Sequence, residues 1–336
     1  MTRHNAIQPT PERTLPVYRS GDFCVTSGAN LGDGITDARE MALDDIYALR
    51  PNARTHGLSV APAGDHFTIG ATSQLGRAGA TLVTDHCATF MCPDGSTVEA
   101  LVLVETEDGY YTDSYLLPLA PLAPQTEYAL VRIDRTAARA RLAQMACVSF
   151  AHGTLITMAN GAQKPIEDLR VGDRILTRDN GPRDIRWIGQ QTVRATGAFA
   201  PIVIKKGVLN NANDLTLSPN HRLFIYQRRD KIRAGRSEVM VKARLLVNGD
   251  SVVQSDGGFV DYYQLLFDQH EIIYAEGIAA ESLFVDTQVT AVLPEGVRSS
   301  LLNRGLDVTT SAAFEVDDSL IQGADAVDLL RRASRV

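Results

Sequence analysis

Ser149-Phe150-Ala151-His152-Gly153-Thr154-Leu155-Ile156 opens the part of this chain whose reading decides its fold. A hydroxyl-bearing residue precedes an apolar one, Gly153-Thr154 supplies a turn, and Leu155-Ile156-Thr157 reads as a strand. Further short apolar runs follow at Arg174 to Thr177, Asp184 to Ile188, Ile202 to Ile204, Leu215 to Leu217, Leu223 to Tyr226, Val260 to Phe267 and Glu271 to Tyr274. Turn formers separate many of them: Asn160-Gly161, Asn180-Gly181-Pro182, Asn248-Gly249-Asp250 and Asp256-Gly257-Gly258. Many short strands with turns between them specify an all-β domain. A brief helix is expected at Val241 to Leu246.

Upstream, Phe23 to about Ile133 also reads as mostly β. Met91-Cys92-Pro93-Asp94-Gly95-Ser96 and Glu107-Asp108-Gly109 mark turns, the second a hairpin. A helix is expected over Asp37 to Leu49 with Thr36 as its cap, and another over Asp134 to Gln144. Met1 to about Arg19 is polar and contains proline, and reads as a disordered or loosely docked lead. After Asp286 the character changes, and Val297 to Asn303 and Ala324 to Arg332 read as two small helices. The expected division is therefore a lead (1–19), a mostly β N-terminal domain (20–135), a short helical linker (136–146), a second β domain (147–287) and a partly helical tail (288–336).

The 336 residues suit two domains at about 150 residues each. A net charge of -7 argues against a nucleic-acid partner. The Lys- and Arg-rich stretch from Lys205 to Arg244 is broken by acidic and apolar residues and reads as a solvated face. No apolar run is long enough to span a bilayer, and the N-terminus lacks the apolar core of a signal peptide. The expected location is cytoplasmic, or outside the cell by a non-classical route. Cys24, Cys87, Cys92 and Cys147 are too few for a disulfide framework. Cys87 and Cys92 read as structural thiols rather than a metal site, and Gly28-Ala29-Asn30 and Gly32-Asp33-Gly34 as tight turns rather than a phosphate loop or Ca²⁺ site.

The opening block, together with three others, resembles the Hedgehog/intein (Hint) family, in its bacterial form of a C-terminal module behind an unrelated N-terminal domain. Pro165-Ile166-Glu167-Asp168-Leu169-Arg170-Val171-Gly172-Asp173-Arg174-Ile175 is similar to the family's I-x-x-L-x-x-G-D-x-V signature. Leu217-Ser218-Pro219-Asn220-His221 resembles its T-x-x-H block, with Ser218 for Thr. His270-Glu271-Ile272-Ile273-Tyr274-Ala275-Glu276-Gly277-Ile278 resembles its closing strand. The four blocks fall in the family's order, and residues 1 to about 145 lie outside the resemblance.

The resemblance implies a horseshoe-like all-β fold and self-processing by an acyl shift, with the chain's own N-terminal segment as substrate. Ser149 attacks the carbonyl before it, and the amide becomes an ester. Such a nucleophile needs activation or strain, and intramolecular alignment supplies much of the rate. His221 protonates the leaving nitrogen, Ser218 holds the bond distorted or donates to the oxyanion, His270 supports the site, and Asp173 fixes its own turn. Cys147 is the alternative nucleophile, chemically stronger but out of register. His152 reads as a surface histidine. Val148, preceding the bond, is β-branched and crowds the carbonyl.

The chain departs from the family at two places. Glu281-Ser282 stands where splicing needs a terminal Asn, and Tyr263-Gln264 stands where the family has a carboxylate. Complete splicing is therefore not expected; water or a small nucleophile would open the ester. Self-cleavage differs from multiple-turnover catalysis, and no cofactor or metal is called for. A catalytically silent Hint fold, serving as a structural or interaction module, is the alternative. A conventional hydrolase on Ser218 and His221 fits least, having no nucleophile elbow and no acid to orient the histidine.

Overall fold

A computed structural model describes residues 13–64, 66–226 and 238–283. The chain divides into two compact units, Met1–Ala143 and Gln144–Val336.

The first unit is a nine-stranded antiparallel sheet. Its order is Phe23–Ser27, Ile46–Leu49, Glu127–Asp134, Thr81–Met91, His66–Ile69, His56–Ala63, Arg13–Arg19, Tyr110–Pro118, Thr97–Glu107. Thr97–Glu107 also pairs with Thr81–Met91, so part of the sheet closes on itself as a barrel and leaves no edge there. Phe23, Tyr47, Phe90 and Tyr128 pack together in the core with ring centroids 5.2–5.7 Å apart. The expected hairpin is present: Glu107 pairs with Tyr110, and Asp108 and Gly109 take φ of 50° and 82°. Two successive positive φ values match the right-handed twist of the strands they join. Cys92-Pro93-Asp94-Gly95-Ser96 likewise turns between paired Met91 and Thr97.

Three expectations for this unit are corrected. Within the lead, Arg13–Arg19 is a strand, paired with His56–Val60 and with Tyr115 and Leu116, and not a disordered or loosely docked segment, while residues 1–12 lie outside the described residues. Its alternation is real but short: Val17 is buried while Thr14, Pro16 and Arg19 are exposed, and the polar composition hides it. The helix over Asp37 to Leu49 does not form. Thr36 bonds the Glu40 carboxylate instead of capping, Asp37 binds the Arg39 main chain and guanidinium, and Asp44 takes a φ of 68° that interrupts any helix. Ile46–Leu49 is then recruited as a strand that buries Tyr47 and Leu49. The second helix forms later than expected, at Ala138–Ala146. Its entry is fixed by Asp134, whose Oδ1 accepts from the Thr136 and Ala137 main-chain N–H groups, as acceptors before a helix do.

The second unit has two antiparallel sheets. One runs Trp187–Arg194, Phe259–Leu266, Phe150–Ala151, Leu215–Leu217, Ile202–Ile204, Val252–Gln254. The other runs Gln163–Pro165, Leu155–Thr157, Ile272–Ala275, Ile278–Glu281, Arg222–Tyr226, Glu238–Lys242, with Arg174–Thr177 pairing on Ile272–Ala275 and on Gly181–Asp184. One apolar core joins them and includes Phe150, Ile156, Leu217, Leu223, Leu265 and Ile273. The unit is all-β, as expected. The strand expected over Asp184 to Ile188 is two strands, ending at Asp184 and restarting at Trp187. The short helix at Val241 to Leu246 is a 3-10 turn over Ala243–Leu246, because Val241 and Lys242 still pair with Leu223 and Arg222. The two tail helices lie outside the described residues. Among the described residues no helix is long and apolar enough to cross a membrane.

Candidate functional site around Ser149

The register of one very short strand assembles the site. Phe150 pairs antiparallel with Leu217 on one side and with Tyr263 on the other. One step back along this strand is one step forward along each neighbour, so Ser149 meets Ser218 on one flank and Gln264 on the other. Both contacts exist. The Ser149 main-chain N–H donates to Ser218 Oγ at 3.0 Å, and Gln264 Nε2 donates to Ser149 Oγ at 3.2 Å. The Ser218 N–H returns a bond to the Ser149 carbonyl at 3.0 Å. Ser149 is 1% exposed.

Ser218 grips the chain twice. While accepting from Ser149 N–H, its hydroxyl donates to the Cys147 carbonyl at 3.3 Å. The peptide linkage between Val148 and Ser149 therefore lies between two points held by one side chain. Asn220 Nδ2 adds a bond to the Met145 carbonyl. The Cys147 thiol is buried, and it is the carbonyl of this residue that joins these bonds.

His221 closes a turn on Ser218, donating its main-chain N–H to the Ser218 carbonyl at 3.0 Å. Its ring is fully buried and lies edge-on to Phe150, 4.4 Å between centroids. Nδ1 lies 3.0 Å from the Ser149 carbonyl oxygen and Nε2 3.1 Å from the Glu281 carbonyl oxygen. The sequence reading expected the ring on the leaving nitrogen. The structure puts it on the oxygen of the same residue, because Ser218 already occupies the nitrogen. Burial pushes the His221 imidazole below its ordinary pKa, against the opposing pull of the Glu281 carboxylate and the two carbonyls.

Glu281 sits opposite Arg222, one step from the paired Leu223 and Ala280. Its Oε1 accepts from the Arg222 main-chain N–H at 3.1 Å and from Nε at 2.8 Å, and His270 Nε2 lies 3.4 Å from Oε2. Burial alone would raise this carboxyl; Arg222 and His270 outweigh it and hold the group at about 2. His270 thus reaches the site through Glu281 and not by touching Ser149.

Asp173 stands apart. It accepts from Lys164 Nζ at 2.8 Å and from the Arg170 main chain at 2.9 Å, and the Lys164 ammonium lowers its pKa. His152 is exposed and lies 3.5 Å from Glu167. The structure therefore gathers Ser149, Ser218 and His221 into one site, with Cys147 contributing its main chain. Sequence reasoning gave no role to Gln264 or Glu281. Both were visible as places where the family pattern breaks, and both breaks lie against the site.

Residues 148–287 match a family model described as a Hint domain. Among solved structures, the chain is similar to the gp41-1 intein at 12% identity, over 40% of this chain and 97% of that one, with a TM-score of 0.25. It is similar to the MchDnaB-1 intein at 13% identity over 40% and 98%, with a TM-score of 0.26. The Ssp DnaB mini-intein variant M86 matches at 13% identity over 41% and 97%, with a TM-score of 0.27. No curated protein matches the chain. The matched segment begins at Val148 and contains every residue gathered here except Cys147 and Met145; it is residues 148–287 of this chain, and not the part before them, that match the Hint domain.

Proposed function

We propose that the C-terminal unit severs its own chain before Ser149, by an acyl shift without splicing. The observation that carries this reading is the double grip of Ser218 on the Cys147 carbonyl and the Ser149 nitrogen. Ser149 Oγ adds to the Val148 carbonyl carbon, whose oxygen takes the electron pair. Collapse breaks the bond to the Ser149 nitrogen, which gains a proton as Oγ loses one. Amide becomes ester plus amine, with no net change in atoms. His221, whose Nδ1 lies 3.0 Å from the Ser149 carbonyl oxygen, is the acid of this reading, and Ser218, whose hydroxyl accepts from the Ser149 N–H, stands at the nitrogen that must gain the proton. Water, or an added small nucleophile, then opens the ester and frees the N-terminal segment. Glu281, in place of an Asn, cannot cyclise to release a downstream segment.

A second reading, a silent Hint fold, is favoured by Gln264. An amide donor on Ser149 Oγ withdraws electron density and takes no proton, where a carboxylate would serve as base. Expression of the full chain decides between them. Self-cleavage gives fragments 1–148 and 149–336 on a denaturing gel, faster with hydroxylamine or dithiothreitol, and lost in Ser149→Ala. Fragments lost instead in Cys147→Ala would move the nucleophile upstream. A chain intact under every condition would establish the silent reading.

A further inference from the structure

We propose that Glu281 is a positioning residue for His221, supplying the buried negative charge that lets this ring carry a proton. The inference rests on the self-cleavage reading for its purpose, but on geometry for its content.

Both ring nitrogens of His221 face carbonyl oxygens, at 3.0 Å and 3.1 Å. A carbonyl oxygen only accepts. A neutral imidazole has one donor and one acceptor nitrogen, so either tautomer sets one lone pair against a carbonyl lone pair. Only the imidazolium satisfies both contacts. An imidazolium with no exposure to solvent needs a counter-charge, or burial strips its proton. Among the described residues, the charged groups set against the ring are Arg222, its chain neighbour, and Glu281 across the strand pair; His270 reaches Glu281 from the far side. Arg222 opposes a second cation. Glu281 is the group of the right sign, and it is fully buried, where its field is little screened. Its main-chain carbonyl orients Nε2, while Arg222 and His270 keep its side chain ionised. The residue in the place of the splicing Asn thus serves the first step of the reaction. The proton His221 passes to the departing nitrogen is replaced by the one Ser149 Oγ gives up.

The test uses the full chain with Ser149→Ala, which cannot cleave, and follows the His221 ring nitrogens by NMR from pH 8 to pH 4. Glu281→Gln is expected to lower the proton affinity of His221 by about tenfold or more, roughly one pH unit. Glu281→Asp is expected to lie between it and the parent, and it carries the test if the Gln chain does not fold. In chains that keep Ser149, the pH profile of cleavage should move the same way. Unmoved His221 titration in the folded variants would overturn the proposal. A parent chain that never cleaves, with titration shifted as expected, would remove the self-cleavage reading and leave this one. A chain that cleaves with titration unmoved would do the reverse.

Discussion

Ser218 Oγ lies 3.0 Å from the Ser149 nitrogen and 3.3 Å from the Cys147 carbonyl oxygen, so one hydroxyl spans the linkage that would break. Ser218→Ala leaves a buried N–H and a buried C=O without this partner, at a cost of about 1–3 kcal/mol. Chemical denaturation should show that loss. Cleavage should slow by about 100-fold, the usual cost of removing one donor aimed at a reacting group. Ser218→Thr keeps the hydroxyl and should retain most of the rate. Equal rates in the Ala and Thr chains would remove Ser218 from the chemistry.

Gln264 offers a gain of function. Gln264→Glu replaces the amide donor on Ser149 Oγ with a group able to take its proton, at nearly the same size. Cleavage is expected to accelerate by about 100-fold at pH 7, at some cost in stability, because the position is 5% exposed. Following fragment 149–336 over time on a gel measures it. A silent parent whose Gln264→Glu variant folds and stays silent would argue that the bond is not poised for attack.

The two buried groups beside the site predict losses of stability in two separate pH windows. His221 is held below its ordinary value of 6.5. Below pH 6.5 the unfolded chain therefore binds the proton more strongly, so this contribution to stability is present above 6.5 and is lost as pH falls through the folded pKa. The protonated ring that cleavage needs becomes more abundant over the same interval. Thermal melts of the Ser149→Ala chain should fall as pH drops from 7 to 5, while initial cleavage rates in the parent rise until the unit unfolds. His221→Gln should flatten both curves.

Glu281 acts lower on the scale. Its folded value of about 2 lies below the ordinary 4.5, so its contribution is complete above pH 4.5 and is lost as pH falls toward 2. Acid titration monitored by circular dichroism should show a loss of structure in that window, and Glu281→Gln should be less stable at pH 7 but flatter below 4.5.

Gly109 tests the N-terminal unit alone. It takes a φ of 82° with open space around its missing side chain, so Gly109→Ala introduces backbone strain without a clash. Destabilisation of about 1 kcal/mol or more is expected, read as a lower midpoint in urea with unchanged cleavage before Ser149.

Much of the second unit was legible because its chemistry is written in runs. Gly153-Thr154, Val171-Gly172-Asp173 and Ser218-Pro219-Asn220-His221 are local signals of turn and site together. Leu155–Thr157, Ile202–Ile204 and Leu215–Leu217 carry apolar residues at strand period, and their limits were read to the residue. What the sequence hid depends on partners distant in the chain. Phe150–Ala151 is too short to show any period, and becomes a strand only because Leu217 and Tyr263 flank it. Trp187–Arg194 is largely polar and half-exposed along its length, and its pairing with Phe259–Leu266 defines it. Asp37 to Asp45 had helical composition, but side-chain bonds at Asp37 and a left-handed Asp44 overrode it. The contacts of His221 were out of reach for the same reason: which oxygen it meets follows from the register of two sheets.

Phe150–Ala151 also joins two groups of strands. In its sheet Trp187–Arg194 and Phe259–Leu266 lie to one side, and Leu215–Leu217, Ile202–Ile204 and Val252–Gln254 to the other. A two-residue clasp thus fastens the halves of the sheet, and Ser149 is the link next to it. Ser149 is 1% exposed, so in the proposed reaction water would reach its ester through a parting of that clasp. On that proposal the acyl shift would reverse many times before water arrives, and the clasp, rather than the nucleophile, would be the clock of release.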